Sequence, residues 1–246
     1  MTRNLKVILE YDGSRYHGWQ RQREPLTIQQ VLEECINRIT GEDVRVNASG
    51  RTDAGVHAMN QVANFRTQSN LDTIRLCKGI NSLLPKDIVI KELAEVSDSF
   101  HARFDVKSKV YMYQLFNNPV RPVLCRLYTW PIYKPLNLES MKKAAGHLLG
   151  CHDFSSFCGT GCDMENRVRT VMSAEITSFD SGLIRINVEA DGFLRYMIRN
   201  IVGTLIDVGR GKRLSDEIPG LIAAKDRRRA GMTAPAQGLF LKEVKY

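Results

Sequence analysis

Residues 27–39 read TIQQVLEECINRI, and their apolar side chains recur every three or four positions, at 28, 31, 32, 35, 36 and 39. This spacing predicts the buried face of an α-helix. Thr27 and Gln30 match the capping box that begins many helices. The preceding stretch LKVILEY, residues 5–11, alternates as a β-strand does. The chain therefore opens with a strand followed by an amphipathic helix.

The same order of elements continues outward from this helix and is then repeated. In the first half, VRVN, QVANFRT and IVIKELAEV predict strands, and a helix at about 71–84 ends before Pro85. In the second half, the strands are KVYMYQLF, VMSAEITSF, GLIRINVEA and GLFLKEV. Apolar stripes predict helices there at 138–149 and 194–208, with a shorter one near 216–225. Each half reads β-α-β-β-α-β.

Two such halves predict an α+β fold built from ferredoxin-like units with the split β-α-β arrangement. We place the halves at residues 1–104 and 105–246. We expect their antiparallel sheets to join into one extended sheet, with helices on one face and a cleft on the other. Because no low-complexity segment or flexible linker separates the halves, we expect them to move little against each other.

The charge balance indicates a class of partner. The chain has 246 residues, with 35 Lys and Arg against 27 Asp and Glu, which gives a formal net charge of +8. Such a balance favours a polyanion, without separating RNA from DNA or an anionic membrane. No apolar run approaches the roughly 20 residues of a transmembrane helix, and the first residues lack the apolar block of a signal peptide. We therefore expect a cytoplasmic protein that does not span a membrane.

Six cysteines, at positions 35, 77, 125, 151, 158 and 162, form no CxxC pair. In a reducing compartment we expect them to stay as thiols. Cys151, His152, Cys158 and Cys162 lie close together in the sequence, but their spacing fits none of the common zinc motifs. We therefore expect no metal. A zinc hydrolase that uses this segment is one alternative function.

The stretch SGRTDAGVHA, residues 49–58, sets Asp53 between Gly50 and Gly55, in the connection between two predicted strands. It can be an ordinary surface turn, since Gly and Asp are common turn residues. It can also be a catalytic loop, because strands hold such connections in place and leave them accessible. In an extended stretch Arg51 would share a face with Asp53 and lower the pKa of its carboxyl group. The residues alone leave both interpretations open.

Five motifs resemble those of the tRNA pseudouridine synthase A family. GRTDAGVHA resembles the family's catalytic motif. The others, in chain order, are EYDGSRYHGWQRQ at 10–22, FHARFDVKSKVYMYQLFN at 100–117, GFLRYMIRNIVGTLIDVGRGK at 192–212 and APAQGLFLKEVKY at 234–246. Ser14 stands where threonine is commoner in the family. The resemblance covers the whole chain in the right order, and it implies the pseudouridine synthase fold.

This resemblance implies an isomerase that converts uridine to pseudouridine in tRNA, at positions 38–40 of the anticodon stem-loop. The bond between N1 and C1′ breaks, the base rotates and it rejoins the ribose through C5, so the reaction calls for no cofactor and no metal. Asp53 matches the family's catalytic carboxylate, and Arg199 matches the arginine that pairs with it. Arg51 would fill the gap left by the flipped base or hold Asp53.

Two further residues match positions that contact the base. Tyr111 matches the tyrosine that stacks on the flipped pyrimidine, and Leu239 looks like the apolar wall beneath it. Without the resemblance, Tyr111 and Leu239 would be assigned to the core of a sheet, and Arg199 to a solvated helix face. The family resemblance therefore carries these three assignments.

The remaining basic residues are candidates for contacts with RNA phosphates, which depend on charge and salt more than on sequence. We select Arg21 and Arg23, in the loop after GWQ, and note the run KDRRR at 225–229, which a solvated helix end explains equally well. The resemblance also implies a homodimer with tRNA lying across both subunits. The alternative is a non-catalytic tRNA-binding or folding protein on the same scaffold.

Overall fold

The fold is described from a computed structural model, which covers residues 2–159, 161 and 165–246. The strands are β1 (Arg3–Tyr11), β2 (Asn47–Ala48), β3 (His57–Thr67), β4 (Ile88–Val96), β5 (Ser108–Asn117), β6 (Trp130–Ile132), β7 (Gly150–Asp153), β8 (Val168–Ser178), β9 (Leu183–Ala190) and β10 (Leu239–Lys245). The α-helices are α1 (Ile28–Thr40), α2 (Thr73–Leu83), α3 (Leu138–Gly146), α4 (Met197–Gly209) and α5 (Ile218–Ala224).

The chain divides into two compact units. Unit 1 comprises Met1–Lys107 and Phe240–Tyr246. Its strands follow the order β4-β1-β3-β10, and β2 also pairs with β3. Strand β1 is antiparallel to β3 and β4, whereas β10 runs parallel to β3. Leu5, Val7 and Leu9 are fully buried, so alternate side chains of β1 line the core, as the alternating pattern predicts.

Helix α1 of unit 1 forms where the sequence places it. The Oγ1 atom of Thr27 accepts a hydrogen bond from the backbone N–H of Gln30, which is the predicted N-cap contact. Ile28, Leu32 and Ile36 are fully buried on one face of the helix. Gly41 ends the helix in the left-handed region, with φ of 72°.

Unit 2 comprises Ser108–Leu239. Its strands follow the order β5-β9-β8-β7, and the short strand β6 pairs with β5. The pairs β5–β9, β9–β8 and β8–β7 are all antiparallel. Helix α3 packs against α4, and nearly every residue of α4 is buried. The predicted α+β class is confirmed by these antiparallel sheets and their helices.

The structure places two helix ends differently from the sequence pattern. Helix α4 begins at Met197 rather than at 194, because Tyr196 adopts a left-handed backbone with φ of 61° that no α-helix accommodates. Helix α3 ends at Gly146 rather than at 149, and strand β7 follows it. The sequence pattern does not predict that strand, because its four residues carry no alternation of apolar and polar side chains.

The two units and the predicted halves also differ at their ends. The predicted boundary after residue 104 lies just before the division at Lys107, and Phe240–Tyr246, which the sequence pattern assigns to the second half, lie in unit 1. A strand near the chain terminus can pair with a sheet formed early in the chain, and local patterns do not encode this choice.

The expectation that every cysteine stays a thiol is wrong for Cys158, which is disulfide-bonded. Cys35, Cys77, Cys125 and Cys151 are free, and Cys162 lies outside the described residues. The expectation rested on the redox state of a compartment, which says nothing about which sulfur atoms the fold brings together. Of the helices in the described part of the chain, none is long and apolar enough to cross a membrane.

Candidate active site

Asp53 lies in the loop between β2 and β3 of unit 1, and this loop is held by the residues on both sides of it. Val56 donates a backbone hydrogen bond of 3.1 Å to the carbonyl of Asp53, which closes a tight turn. Gly55 within the turn has φ of 76°, a value that favours glycine. The Asp53 side chain is half-buried. The loop thus combines a turn with a partly accessible carboxylate.

Thr52, the neighbour of Asp53, anchors the loop to the sheet. Its hydroxyl is hydrogen-bonded to the hydroxyl of Tyr11 at 2.9 Å, and both residues are buried. Its carbonyl accepts a hydrogen bond from the backbone N–H of Trp19. Gln61 on β3 donates to the carbonyl of Gly50 at 3.0 Å. Burial raises the pKa of Tyr11 to about 12, so its hydroxyl stays protonated at alkaline pH values where an exposed tyrosine ionises.

Two glycines of the stretch EYDGSRYHGWQ allow the N-terminal segment to touch the loop. A Cβ atom on Gly13 would lie 2.0 Å from the carbonyl oxygen of Val56, and one on Gly18 would lie 2.4 Å from that of Thr52. Tyr16, between these glycines, accepts a backbone hydrogen bond from Gly55. Only residues without a side chain fit at the two glycine positions, so the motif serves as a backbone support for the Asp53 loop.

His57 follows the loop and is buried at the start of β3. Its Nδ1 atom lies 3.1 Å from Asp12 Oδ1 and 3.1 Å from the backbone nitrogen of Gly13. Its ring stacks on Phe240 of β10, with the ring centres 4.7 Å apart. His57 therefore joins the loop, the N-terminal motif and the last strand of unit 1.

Arg51 lies in the same loop as Asp53, with an exposed side chain. Residues 51–53 belong to no strand, so the condition under which strand alternation would put both side chains on one face is not met. Of the two residues selected for RNA contacts, Arg21 forms an ion pair of 2.9 Å with Glu33 on α1. Arg23 is exposed in the loop before α1.

Tyr111, Arg199 and Leu239 all belong to unit 2. Tyr111 on β5 is buried, and its ring meets that of Phe193 edge to face, with centres 5.0 Å apart. Tyr113, two residues along the same strand, is fully buried and donates a hydrogen bond of 2.8 Å to the carbonyl of Pro235. Leu239 is buried at the start of β10. Through its contact with Phe193, Tyr111 places aromatic surface beside the chain segment that leads into α4.

Arg199 lies in the first turn of α4, and its guanidinium is held from two sides. Its Nε atom donates a hydrogen bond of 2.7 Å to the carbonyl of Ala234. Its guanidinium carbon lies 4.9 Å from the ring centre of Tyr196, and that of Arg195 lies at the same distance from this ring. The Tyr196 ring is therefore in cation–π contact with two arginines. Tyr196 also has a left-handed backbone, as Lys225 does, and such strain is concentrated at functional sites.

A polar network continues from Arg199 into the segment before β10. The backbone N–H of Ala234 donates to the carbonyl of Arg199. Asn200, the next residue of α4, is fully buried and accepts hydrogen bonds from Thr233 at 2.7 Å and from Arg227 at 2.9 Å. Because a buried amide is costly to leave without partners, this network fixes the start of α4 against the segment that contains Ala234.

Sequence reasoning singles out Asp53 and Arg199 and misses several residues that hold them. Asp12, Gly13 and Gly18 lie within a motif that the resemblance covers, but their support of the loop depends on contacts with residues far along the chain. Tyr196 carries no sequence signal, since a tyrosine is not expected in the left-handed region. Within the described residues, no group of three or more His, Cys, Asp or Glu side chains could hold a metal ion.

Comparison with known proteins identifies the family. The model of the family described as tRNA pseudouridine synthase matches residues 7–105 and 144–246. The chain belongs to this family. A protein named tRNA pseudouridine synthase A from Thermoanaerobacter sp. (strain X514) is 46% identical over 244 residues, which cover 99% of this chain and 100% of the relative. One with the same name from Acetivibrio thermocellus is also 46% identical, with the same coverage.

Similarity to solved structures is weaker. A chain of an archaeal box H/ACA ribonucleoprotein complex is 16% identical, with a TM-score of 0.34, and the match covers 80% of this chain and 45% of that one. The family model and the full-length relatives therefore carry the assignment. The prediction of a tRNA pseudouridine synthase, an isomerase that acts on tRNA, is confirmed.

Proposed function

We propose that this pseudouridine synthase acts on uridines 38–40 in the anticodon stem-loop of tRNA, with Asp53 as the catalytic carboxylate. The assignment of Asp53 as the catalytic carboxylate rests on one observation. Its half-buried side chain lies on a loop that is held by hydrogen bonds with Tyr11, Trp19, Tyr16 and Gln61. A carboxylate held in this way presents its charge with little reorganisation during the reaction.

The chemistry requires few groups. The N1–C1′ bond of the uridine breaks, the base turns, and a C5–C1′ bond forms. The proton lost from C5 is balanced by one gained at N1, so nothing is oxidised or reduced. Asp53 acts close to the ribose and the base, as nucleophile or as electrostatic stabiliser of the separated sugar. Its loop meets the requirement for preorganisation, since misplacement of a reacting group by about 1 Å can cost about a hundredfold in rate.

The base must leave its stack to reach such a carboxylate. We assign the stacking surface for the flipped uracil to Tyr111 and the apolar wall beneath it to Leu239. Arg199 pairs with the aspartate, and Arg51 fills the gap that the base leaves in the RNA or holds Asp53. The exposure of Arg51 supports the first of these two roles. The contact of Arg199 with Tyr196 supports a guanidinium held in one orientation.

Binding of the rest of the tRNA is assigned to positive charge. The formal net charge of +8 favours a polyanion as the partner. Arg23 is exposed, and no role in the reaction is assigned to it. Arg21 is a weaker candidate than the sequence indicates, because part of its charge is compensated by Glu33. Phosphate contacts of this kind predict binding that weakens steeply with salt.

We further propose that the enzyme is a cytoplasmic homodimer. An apolar segment between β5 and β6 supports a second copy, since the exposed fractions there are 70% for Val120, 61% for Val123 and 94% for Leu124. Several exposed apolar side chains in one short segment are typical of an interaction site. Sedimentation velocity of the purified chain measures its mass, and a monomer at micromolar concentration would refute the dimer.

The central experiment is Asp53→Asn, assayed by tritium release from tRNA labelled at C5 of uridine. We expect turnover to fall to background while tRNA binding is preserved, because the amide keeps the shape of the side chain and loses its charge. The matched control is Asp43→Asn, in the same unit, where the aspartate is exposed. It should release tritium at the wild-type rate.

The same experiment separates the alternative function. A non-catalytic tRNA-binding protein on this scaffold would bind tRNA and release no tritium in wild type or variant. Wild-type release by Asp53→Asn would instead refute the assignment of the carboxylate. Transcripts in which uridines 38–40 are replaced by cytidine test the site of modification, and undiminished release from them would exclude the anticodon stem-loop.

A further inference from the structure

Unit 2 contains a polar surface cavity of about 550 Å³ that the proposed reaction does not use. Its lining includes four cationic side chains, Arg167, Lys225, Arg227 and Arg228, against one carboxylate, Asp226. Among the described residues of the lining, the cations outnumber the acid, and this excess favours an anion.

Some of this charge is compensated within the protein. Arg228 forms an ion pair of 2.8 Å with Asp226, and Lys225 forms one of 2.8 Å with Asp153 behind the lining. Among the described residues, the lining together with Asp153 carries four cations and two carboxylates, and Arg167 also has an interaction partner within the protein. Both ion pairs involve exposed side chains, and exposed pairs are weak, so an incoming anion can compete for the cations.

Arg227 is the cation whose surroundings favour an anion most. Within the described part of the chain, its guanidinium donates to three uncharged oxygens: Asn200 Oδ1 at 2.9 Å, Thr233 Oγ1 at 3.0 Å and the carbonyl of Ala230 at 3.4 Å. These contacts satisfy donors without neutralising the charge. Burial lowers the pKa of Arg227, which shows that desolvation disfavours its charged form. A bound anion would compensate this cost.

The glycines of the lining shape the cavity. A Cβ atom on Gly159 would lie 2.4 Å from the Tyr196 ring, so glycine lets this segment pack on the start of α4. A Cβ atom on Gly161 would lie 3.5 Å from a terminal nitrogen of Arg195, which places a fifth cation at the edge of the cavity. The Arg227 hydrogen bonds lead to Asn200 and Thr233, the network that fixes the start of α4.

We propose that this cavity binds a backbone phosphate of the tRNA, at a place distinct from the uridine site. The proposal rests on the proposed function only in taking tRNA as the bound polyanion. Guanidinium groups are suited to phosphate because their planar donors match its oxygens in pairs. A phosphate held next to the network of α4 would position the RNA relative to the helix that carries Arg199.

The test measures tRNA affinity against salt for Arg167→Gln, Arg228→Gln and the double variant. Each removes a cation of the lining and leaves the Arg227 network intact. We expect weaker binding and a slope of log affinity against log salt that is smaller by about 0.7–0.9 for each phosphate that the protein no longer neutralises. Lys142→Gln is the matched control, since Lys142 on α3 is exposed, is ion-paired with Glu139 at 2.8 Å and does not line the cavity.

The comparison isolates position from net charge, because Arg228→Gln and Lys142→Gln each remove one cation from an exposed ion pair. An equal loss of affinity in both would overturn the phosphate site, since general charge would then explain the effect. The measurements are made in the Asp53→Asn background, where substrate is not consumed. A reduced slope together with wild-type tritium release by Asp53→Asn would keep the phosphate site and reject the catalytic assignment.

Discussion

The Asp53 loop of unit 1 and the Arg199 segment of unit 2 each present a candidate catalytic group, and they are held in different ways. The loop is fixed by hydrogen bonds to its own backbone, from Trp19, Gln61 and Val56, and by the close approach of Gly13. Arg199 is held through its side chain, by one carbonyl and by the face of Tyr196.

This difference predicts how strongly the position of each group depends on the residues that hold it. Backbone hydrogen bonds and glycine contacts define the position of Asp53 closely, so the loop should tolerate little change. The Tyr196 ring sits on a strained residue and is in contact with two guanidinium groups. The contacts of Arg199 described above are one hydrogen bond and one cation–π contact, which are fewer than those that hold the Asp53 loop. We therefore expect substitutions at the loop to have larger effects than those beside Arg199.

Among substitutions of the residues that support the two groups, the largest effect is expected for Gly13→Ala. The added methyl would lie 2.0 Å from the carbonyl oxygen of Val56, so the N-terminal motif and the loop must separate. Overpacking of this kind lowers the free energy of unfolding by about 1–3 kcal/mol, and displacement of Asp53 by about 1 Å would cost about a hundredfold in turnover. Urea denaturation and tritium release measure the two quantities.

Gly220→Ala is the control for that variant. Gly220 lies in α5 with no heavy atom within 4 Å of its Cβ position. Because alanine is the better helix former, the free energy of unfolding should rise by up to about 1 kcal/mol. If both alanines behaved alike, the contact of Gly13 with the loop would have no role.

An alkaline titration tests the hydroxyl that anchors the loop. Burial raises the pKa of Tyr11 to about 12, whereas an unfolded tyrosine has a pKa of about 10. Between these two values the unfolded state releases its proton and the folded state keeps it, so stability falls as the pH rises. Tyr11→Phe should remove up to about 3 kcal/mol of this fall, at about 1.4 kcal/mol per pH unit.

The free energy of unfolding, measured in urea from below the pKa of an unfolded tyrosine up to that of Tyr11, checks this expectation. Tyr133→Phe serves as the control, because it removes one phenolic hydroxyl from an exposed tyrosine. Equal profiles for wild type and Tyr11→Phe would show that the Tyr11 hydroxyl is not held protonated by the fold.

The smallest effect is expected for substitution of Tyr196, which tests how Arg199 of unit 2 is held. Tyr196→Asn removes the ring from Arg199 but suits the left-handed backbone, where asparagine is tolerated. Loss of a cation–π contact worth roughly 0.5–2 kcal/mol predicts a fall in kcat of about 2- to 30-fold. Stability should be unchanged or slightly higher.

Tyr196→Phe keeps the ring and removes only the hydroxyl, which lies 3.3 Å from a terminal nitrogen of Arg195. Its kcat should stay near that of the wild type. A fall in kcat as large for phenylalanine as for asparagine would assign the effect to the hydroxyl and reject the ring as the support of Arg199.

Much of the fold follows from local pattern. The apolar face of α1, its Thr27 cap and the alternating residues of β1 are each visible in a few neighbouring residues, because helix and strand periods act over short distances. The sequence pattern begins α4 too early, since the apolar stripe includes Leu194 while the helical backbone starts only after Tyr196. Strand β7 carries no pattern, so local reasoning does not find it.

The candidate site is likewise predicted only in part from the sequence. The motif GRTDAGVHA marks Asp53 through its similarity to a family, and the residue types state what chemistry is available. Neither reveals that Gly13 and Gly18 touch the loop, or that Tyr196 meets two arginines. The glycine contacts join residues that are distant in the chain, and the packing of the fold brings them together.

What the sequence by itself determined is the order of most helices and strands, the family and the presence of one carboxylate in a glycine-flanked loop, because these are written in adjacent residues. The tertiary structure alone decided which backbone atoms hold that loop, where α4 begins and which cations share the cavity of unit 2. The physical reason is that hydrogen bonding, close packing and desolvation act between groups that only folding brings within a few ångströms of each other.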